Sequence, residues 1–83
     1  MPSQEFTDAV AALDKSPDNQ SNDTKLALYG LYKQATKGDA SGKRPGMFDL
    51  VGRAKYDAWA KLKGMSRQDA EAAYIKKADS ILG

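Results

Sequence analysis

Apolar residues in this chain recur three and four positions apart, in four stretches separated by polar breaks, and nowhere alternate one-in-two. That spacing is the period of a helix face, whereas a strand would need a repeat of two. In the first stretch, from about Ser3 to Leu13, the stripe is Phe6, Val10 and Leu13. Ser3 is placed to cap its start, and Glu5 complements the positive end of its dipole. The stretch stops before Ser16-Pro17-Asp18-Asn19-Gln20-Ser21-Asn22, a cluster of turn formers with one proline. The second helix is expected over Asp23 to Lys37, with Asn22 as its cap and Gly38 just past its end. Its wheel carries two adjacent faces. Leu28, Leu31 and Ala35 form a core stripe; Lys25, Tyr29, Tyr32 and Thr36 lie beside it, with Lys33 on their flank.

Gly38 to Gly46 reads as a loop, since three glycines and a proline interrupt any period. The third helix is expected over roughly Val51 to Lys63, closed by Gly64, with Val51, Ala58 and Leu62 sharing a stripe with Lys55, and Trp59 beside it. The fourth opens with Ser66-Arg67-Gln68-Asp69, a shortened capping box, and its stripe is Ala70, Ala73, Tyr74, Lys77, Ala78 and Ile81. The expectation is an all-α fold, an antiparallel bundle of four helices, in a single domain spanning residues 1–83.

Composition narrows the chemistry. At 83 residues there is room for one core, and a domain of this size buries only about 60–65% of its unfolded surface. The absence of cysteine and histidine removes the most frequent general base, the usual zinc ligands and the strongest side-chain nucleophile. The carboxylates are scattered among lysines, and no pair of them suggests acid–base work. No catalysis, cofactor or metal is therefore expected. Thirteen basic and eleven acidic residues give a net charge of +2, too balanced for neutralising a nucleic-acid backbone across a whole face. The polar opening and the lack of a run of about 20 apolar residues argue against a signal peptide and a membrane span. A cytoplasmic monomer is expected.

Spacing alone leaves the second-helix face open to two readings. Tyr29, Tyr32 and Lys33 could be half-buried core tyrosines beside a snorkelling lysine. They could equally meet an anionic, ring-bearing ligand, with aromatic surfaces and hydroxyl donors from tyrosine and a point charge from lysine. Lys55 poses the same choice between an edge snorkeller and a phosphate anchor. Lys43, Arg44 and Lys76-Lys77 read as solvated, and Trp59 as core.

The motifs are more specific than the spacing. Leu28-Tyr29-Gly30-Leu31-Tyr32-Lys33-Gln34-Ala35-Thr36-Lys37-Gly38-Asp39 resembles the signature of the acyl-CoA-binding protein family. Arg44-Pro45-Gly46-Met47, Gly52-Arg53-Ala54-Lys55-Tyr56-Asp57-Ala58-Trp59 and Leu62-Lys63-Gly64-Met65-Ser66 follow in order, then Asp69-Ala70 and Ala73-Tyr74-Ile75. The resemblance runs from Phe6 to the end of the chain. It implies a four-helix bundle with an open groove that binds medium- to long-chain fatty acyl-CoA without chemistry, as an intracellular carrier and buffer. It also implies that Tyr29, Tyr32, Lys33, Lys55 and Tyr74 surround the adenine and the 3′-phosphate. On the lipid side it points to Ala9, Val10, Leu13, Lys25 and Leu26.

Three positions depart from the family pattern: Asp14 and Val51 stand where lysines are common, and Lys25 where a large apolar residue is common. The competing reading is a helical protein-interaction module that uses its groove for a partner helix. That reading would leave the tyrosine–lysine face without a purpose.

Overall fold

Each of the four expected helices begins where a short polar side chain can take the first free backbone N–H. In the computed structural model, which describes residues 3–16 and 20–83, they are α1 (Gln4–Lys15), α2 (Asn22–Lys37), α3 (Leu50–Ala60) and α4 (Arg67–Leu82). Among the described residues there is no strand, and the fold is an all-α four-helix bundle. Pro17, Asp18 and Asn19, at the centre of the expected first break, lie outside the described residues, as do Met1 and Pro2. Ser3 Oγ accepts from the Phe6 N–H at 3.2 Å and Ser66 Oγ from the Asp69 N–H at 3.0 Å, as their spacing predicts. The cap of α2 is Ser21, one residue before the expected Asn22, and its Oγ accepts from the Thr24 N–H at 3.2 Å. Asn22 has already entered the first turn. Asp49 caps α3, accepting from the Gly52 N–H at 2.9 Å, so that helix starts one residue earlier than the apolar stripe suggested. Caps of this kind are each worth about 1 kcal/mol.

The α-helical ladder of α3 ends at Ala60, short of the expected Lys63. Beyond it, Leu62, Lys63 and Met65 donate to carbonyls three residues back, a tighter turn that ends at Gly64 with φ +93°. The helix α2 packs against both α3 and α4, and α1 packs against α4. The core is built from Phe6 and Ala9 of α1, Leu31 and Ala35 of α2, and Ala70, Tyr74 and Ala78 of α4. Two of the three buried residues of α4 are alanines, and the helix packs against both α1 and α2. The predicted core stripe of α3 is corrected at its start: Ala58 is buried and Leu62 packs on the core, but Val51 is 67% exposed. Among the described residues the first turn of α3 is left exposed at Leu50 and Val51, and its later turn meets α2 where Ala58 faces Gly30.

Two residues of α2 set how that helix meets its neighbours. A Cβ on Gly30 would lie 2.6 Å from the Ala58 carbonyl oxygen, so the backbones of α2 and α3 approach where only glycine fits. Gln34 is fully buried, and its Nε2 donates to Met65 O at 2.8 Å and to Asp39 Oδ1 at 2.9 Å. The same Asp39 oxygen accepts the Gly64 N–H at 2.9 Å, so one carboxylate joins the end of α2 to the α3–α4 turn. The Gly64 and Gln34 donors hold the Asp39 carboxyl below the usual carboxylate range. Trp59 Nε1 donates to Gly38 O at 2.7 Å, and Arg44 forks onto Asp57 at 2.9 and 2.6 Å. These bonds fix the long loop over α3.

Candidate functional site

Tyr29 sits one position before the close crossing at Gly30, and Lys55 lies three residues before Ala58, on the same side of α3. The crossing that brings Gly30 against Ala58 therefore also brings Lys55 to Tyr29. Lys55 Nζ lies 5.4 Å from the Tyr29 ring centroid. Lys33, one turn after Tyr29 on α2, places its Nζ 6.0 Å from the same ring and 5.1 Å from the ring of Trp59. Two ammonium groups from two helices thus lie close to one aromatic ring. The ring quadrupoles attract each cation by about 0.5–1 kcal/mol at sites of this exposure. Burial, followed by the charge and hydrogen bonding of Lys37, pushes the Lys33 ammonium below the usual lysine pKa. A compact anion beside Lys33 would offset both the burial and the Lys37 charge.

Tyr29 also lines a pocket of about 310 Å³, together with two further tyrosines, Tyr32 and Tyr74. Val10, Leu28, Asp14 and Lys25 complete its wall. Tyr32 is exposed, its ring stacked on buried Phe6 at 6.0 Å. Tyr74 meets Phe6 edge-on at 5.1 Å and is only 6% exposed. Burial, then the nearby Asp14 charge and Tyr32, push its phenol above the ordinary tyrosine value, so it is a neutral donor near pH 7. Exposed aromatic surface beside hydroxyl donors suits a planar heterocycle.

A third feature opens between the first turns of α2 and α3. An apolar cleft of about 370 Å³ is lined by Leu26, Leu50, Val51 and Ala54, with Asn22, Lys25 and Lys55 also on its wall. Leu50 is 73% exposed, and Met47 and Phe48 just before it are exposed too. Large apolar side chains left in water at one end of a small domain mark an interaction surface. Lys55 belongs to the ammonium cluster and to this cleft at once.

The sequence model described as Acyl CoA binding protein matches residues 3–78. The chain is 45% identical over 82 residues to Acyl-CoA-binding protein 2 of Saccharomyces pastorianus, covering 99% of this chain and 94% of that protein. It is 44% identical over 80 residues to the acyl-CoA-binding protein of Ricinus communis, covering 96% and 89%. The crystal structure of Oryza sativa Acyl-CoA-Binding Protein 2 superimposes with a TM-score of 0.91 at 46% identity, over 95% of this chain and 88% of that one. The chain belongs to the acyl-CoA-binding protein family.

Within this family frame the candidate residues divide into three groups. Tyr29, Lys33 and Lys55 form one cluster, and Tyr32 and Tyr74 share the adjacent pocket with Tyr29. Of the lipid-side candidates, Leu26 and Lys25 line the apolar cleft, whereas Val10 lines the tyrosine pocket. Ala9 is buried in the core and Leu13 packs against it. Leu50, Val51 and Ala54 were not among the sequence candidates for the cleft. Their signal was Leu50-Val51 directly after the Asp49 cap, an apolar pair at the start of a helix. Among the described residues no group of three or more His, Cys, Asp or Glu side chains could hold a metal ion, and no helix is long and apolar enough to cross a membrane.

Proposed function

We propose that this chain binds medium- to long-chain fatty acyl-CoA esters without transforming them, as a monomeric cytoplasmic carrier and buffer. The observation that carries this reading is the convergence of Lys33 Nζ and Lys55 Nζ on the Tyr29 ring, with Lys55 also lining the apolar cleft. A ligand that suits both features must combine a compact phosphate with a hydrocarbon tail. In this reading the 3′-phosphate lies between the two ammonium groups and the adenine occupies the pocket of Tyr29, Tyr32 and Tyr74. The acyl chain runs along Leu26, Leu50, Val51 and Ala54. Burying a 16-carbon tail is worth on the order of 10 kcal/mol gross, at about 0.8 kcal/mol per methylene, and ordering costs remove much of it. That surplus is what keeps a detergent-like ester in solution.

The test is calorimetric titration with dodecanoyl-CoA and with dodecanoyl-dephospho-CoA, which lacks only the 3′-phosphate. The wild type should bind the first more tightly by several kcal/mol, because two charge-assisted contacts of about 1.5–3 kcal/mol each are lost with the phosphate. In a Lys33→Ala/Lys55→Ala double variant the two ligands should become nearly equivalent. Equal affinities in the wild type, or full discrimination by the double variant, would refute the phosphate assignment.

A further inference from the structure

The tyrosine pocket and the apolar cleft share one lining residue, Lys25. A ligand with its ring system beside Tyr29, Tyr32 and Tyr74 and its tail along Leu50 and Val51 must cross from one to the other past this side chain. In a CoA ester the part that lies between the nucleoside and the acyl chain is the diphosphate followed by the pantetheine arm. Lys25 is exposed on the first turns of α2, one turn before Tyr29. A lysine in such a place has two useful parts: an apolar stem that lies along a cleft wall, and an ammonium that reaches outward to an anion.

We infer that Lys25 is a further anion-binding residue, which takes the diphosphate of the ligand where it crosses between the two pockets. This rests on the proposed function and adds a second charge-reading point to it. Lys33 and Lys55 gather at the Tyr29 ring, with Lys55 extending into the cleft, so they are placed for the terminal phosphate. Asp14 shares the tyrosine pocket with Lys25 and brings negative charge to the same wall. A cation at position 25 offsets that repulsion for a ligand bearing phosphates. A purely apolar residue there would extend the cleft but bring no positive charge to the wall it shares with Asp14.

Three ligands separate the possibilities: dodecanoyl-CoA, dodecanoyl-dephospho-CoA, which keeps the diphosphate, and dodecanoyl-pantetheine, which has no phosphate. At low ionic strength Lys25→Met should weaken binding of the first two about threefold to tenfold and alike, the scale of a partly solvated ion pair. Binding of dodecanoyl-pantetheine should stay within about twofold of wild type, since methionine keeps the apolar stem. Lys25→Arg, which keeps the charge, should hold affinity for all three. Salt should erode the Lys25→Met penalty. An equal penalty on dodecanoyl-pantetheine would show that Lys25 acts through packing and overturn the inference. A penalty seen with dodecanoyl-CoA but absent with the dephospho ligand would move Lys25 to the 3′-phosphate and overturn it as well. No penalty on any ligand would have the same consequence while leaving the proposed function intact. A wild type that binds none of the three would instead overturn the proposed function.

Discussion

Replacing Gly30 with alanine tests the geometry that creates the site. In an isolated helix the change is favourable by about 0.8–1 kcal/mol, because glycine is the poorer helix former. Here the new Cβ would lie 2.6 Å from the Ala58 carbonyl oxygen and 2.9 Å from its carbonyl carbon. Both atoms are backbone, so no side-chain rotation relieves the contact, and α3 must move by roughly half an ångström or more to restore ordinary packing distances. Overpacking of this kind costs about 1–3 kcal/mol. The net expectation is a loss of up to about 2 kcal/mol, which lowers the melting temperature of a domain this small by up to about 8–16 °C. The same displacement carries Lys55 away from the Tyr29 ring, so affinity for dodecanoyl-CoA should fall as well. Circular-dichroism melting and calorimetry read the two effects. Gly46→Ala is the control, because a Cβ there meets nothing within 4 Å. If Gly30→Ala melts at or above the wild-type temperature and binds normally, the helices do not cross as closely as described, and the argument that the crossing positions Lys55 fails.

Gln34→Met keeps the buried volume but removes the donor to Met65 O; it should destabilise the fold by about 1–3 kcal/mol in chemical denaturation, toward the lower end because the buried Gln34 Oε1 has no partner to lose. Asp39 has a folded-state pKa below its unfolded value, so its contribution is complete above about pH 4 and is lost as the pH falls through the folded value; Asp39→Asn should flatten the fall in stability in acid. In the proposed complex a phosphate beside Lys33 raises an ammonium pKa that burial and Lys37 hold down in the free protein. Affinity should therefore weaken as the pH rises through the free-state value toward 10.5, with proton uptake on binding visible in calorimetry run in two buffers of different ionisation enthalpy. A pH-independent affinity up to 10.5 would remove Lys33 from the phosphate site.

Much of this architecture was legible in the order of residues, for reasons that are local. Ser3 and Ser66 cap the helices they precede, and Phe6, Leu31, Ala35, Ala70, Tyr74 and Ala78 lie on the stripes their spacing defines and are buried. The residues that escaped depend on partners far along the chain. Gln34 reads as a polar position on a helix, yet it is buried because Met65 and Asp39 bring acceptors to it from two separate loops. Gly30 reads as a weakness in α2 until Ala58 of another helix is laid against it. Val51 reads as core by its period, but periodicity reports which face is apolar and cannot report whether another helix covers it. The motif resemblance gathered Tyr29, Lys33 and Lys55 as candidates; their meeting at one ring required the crossing angle of α2 and α3.

Along α2 the demands of folding and of binding are separated by length and by face. Its later turns carry Leu31, Gln34 and Ala35 into the core, and the Gln34 and Trp59 hydrogen bonds tie its end to the loops on either side of α3. Its first turns carry Lys25 and Leu26 beside the uncovered start of α3, where Leu50 and Val51 remain in water. The start of α3 is held chiefly by the Asp49 cap and by its continuation into Ala58 and Trp59, and it forgoes the burial that a fifth element would supply. In the proposed complex the acyl chain would supply that cover: it would bury surface that the free protein leaves exposed, and each bound molecule would stabilise the fold by mass action. The ammonium groups of Lys33 and Lys55 near the Tyr29 ring would work in the same sense in the proposed complex, each gaining an anionic partner. The free protein thus presents an unburied apolar surface at the first turns of α2 and two ammonium groups near the Tyr29 ring further along it. In the proposed complex one ligand with both a hydrocarbon tail and a phosphate-bearing ring system meets the two together, whereas a free nucleotide has no tail for the cleft and a free fatty acid has neither phosphate nor ring for the lysines and tyrosines.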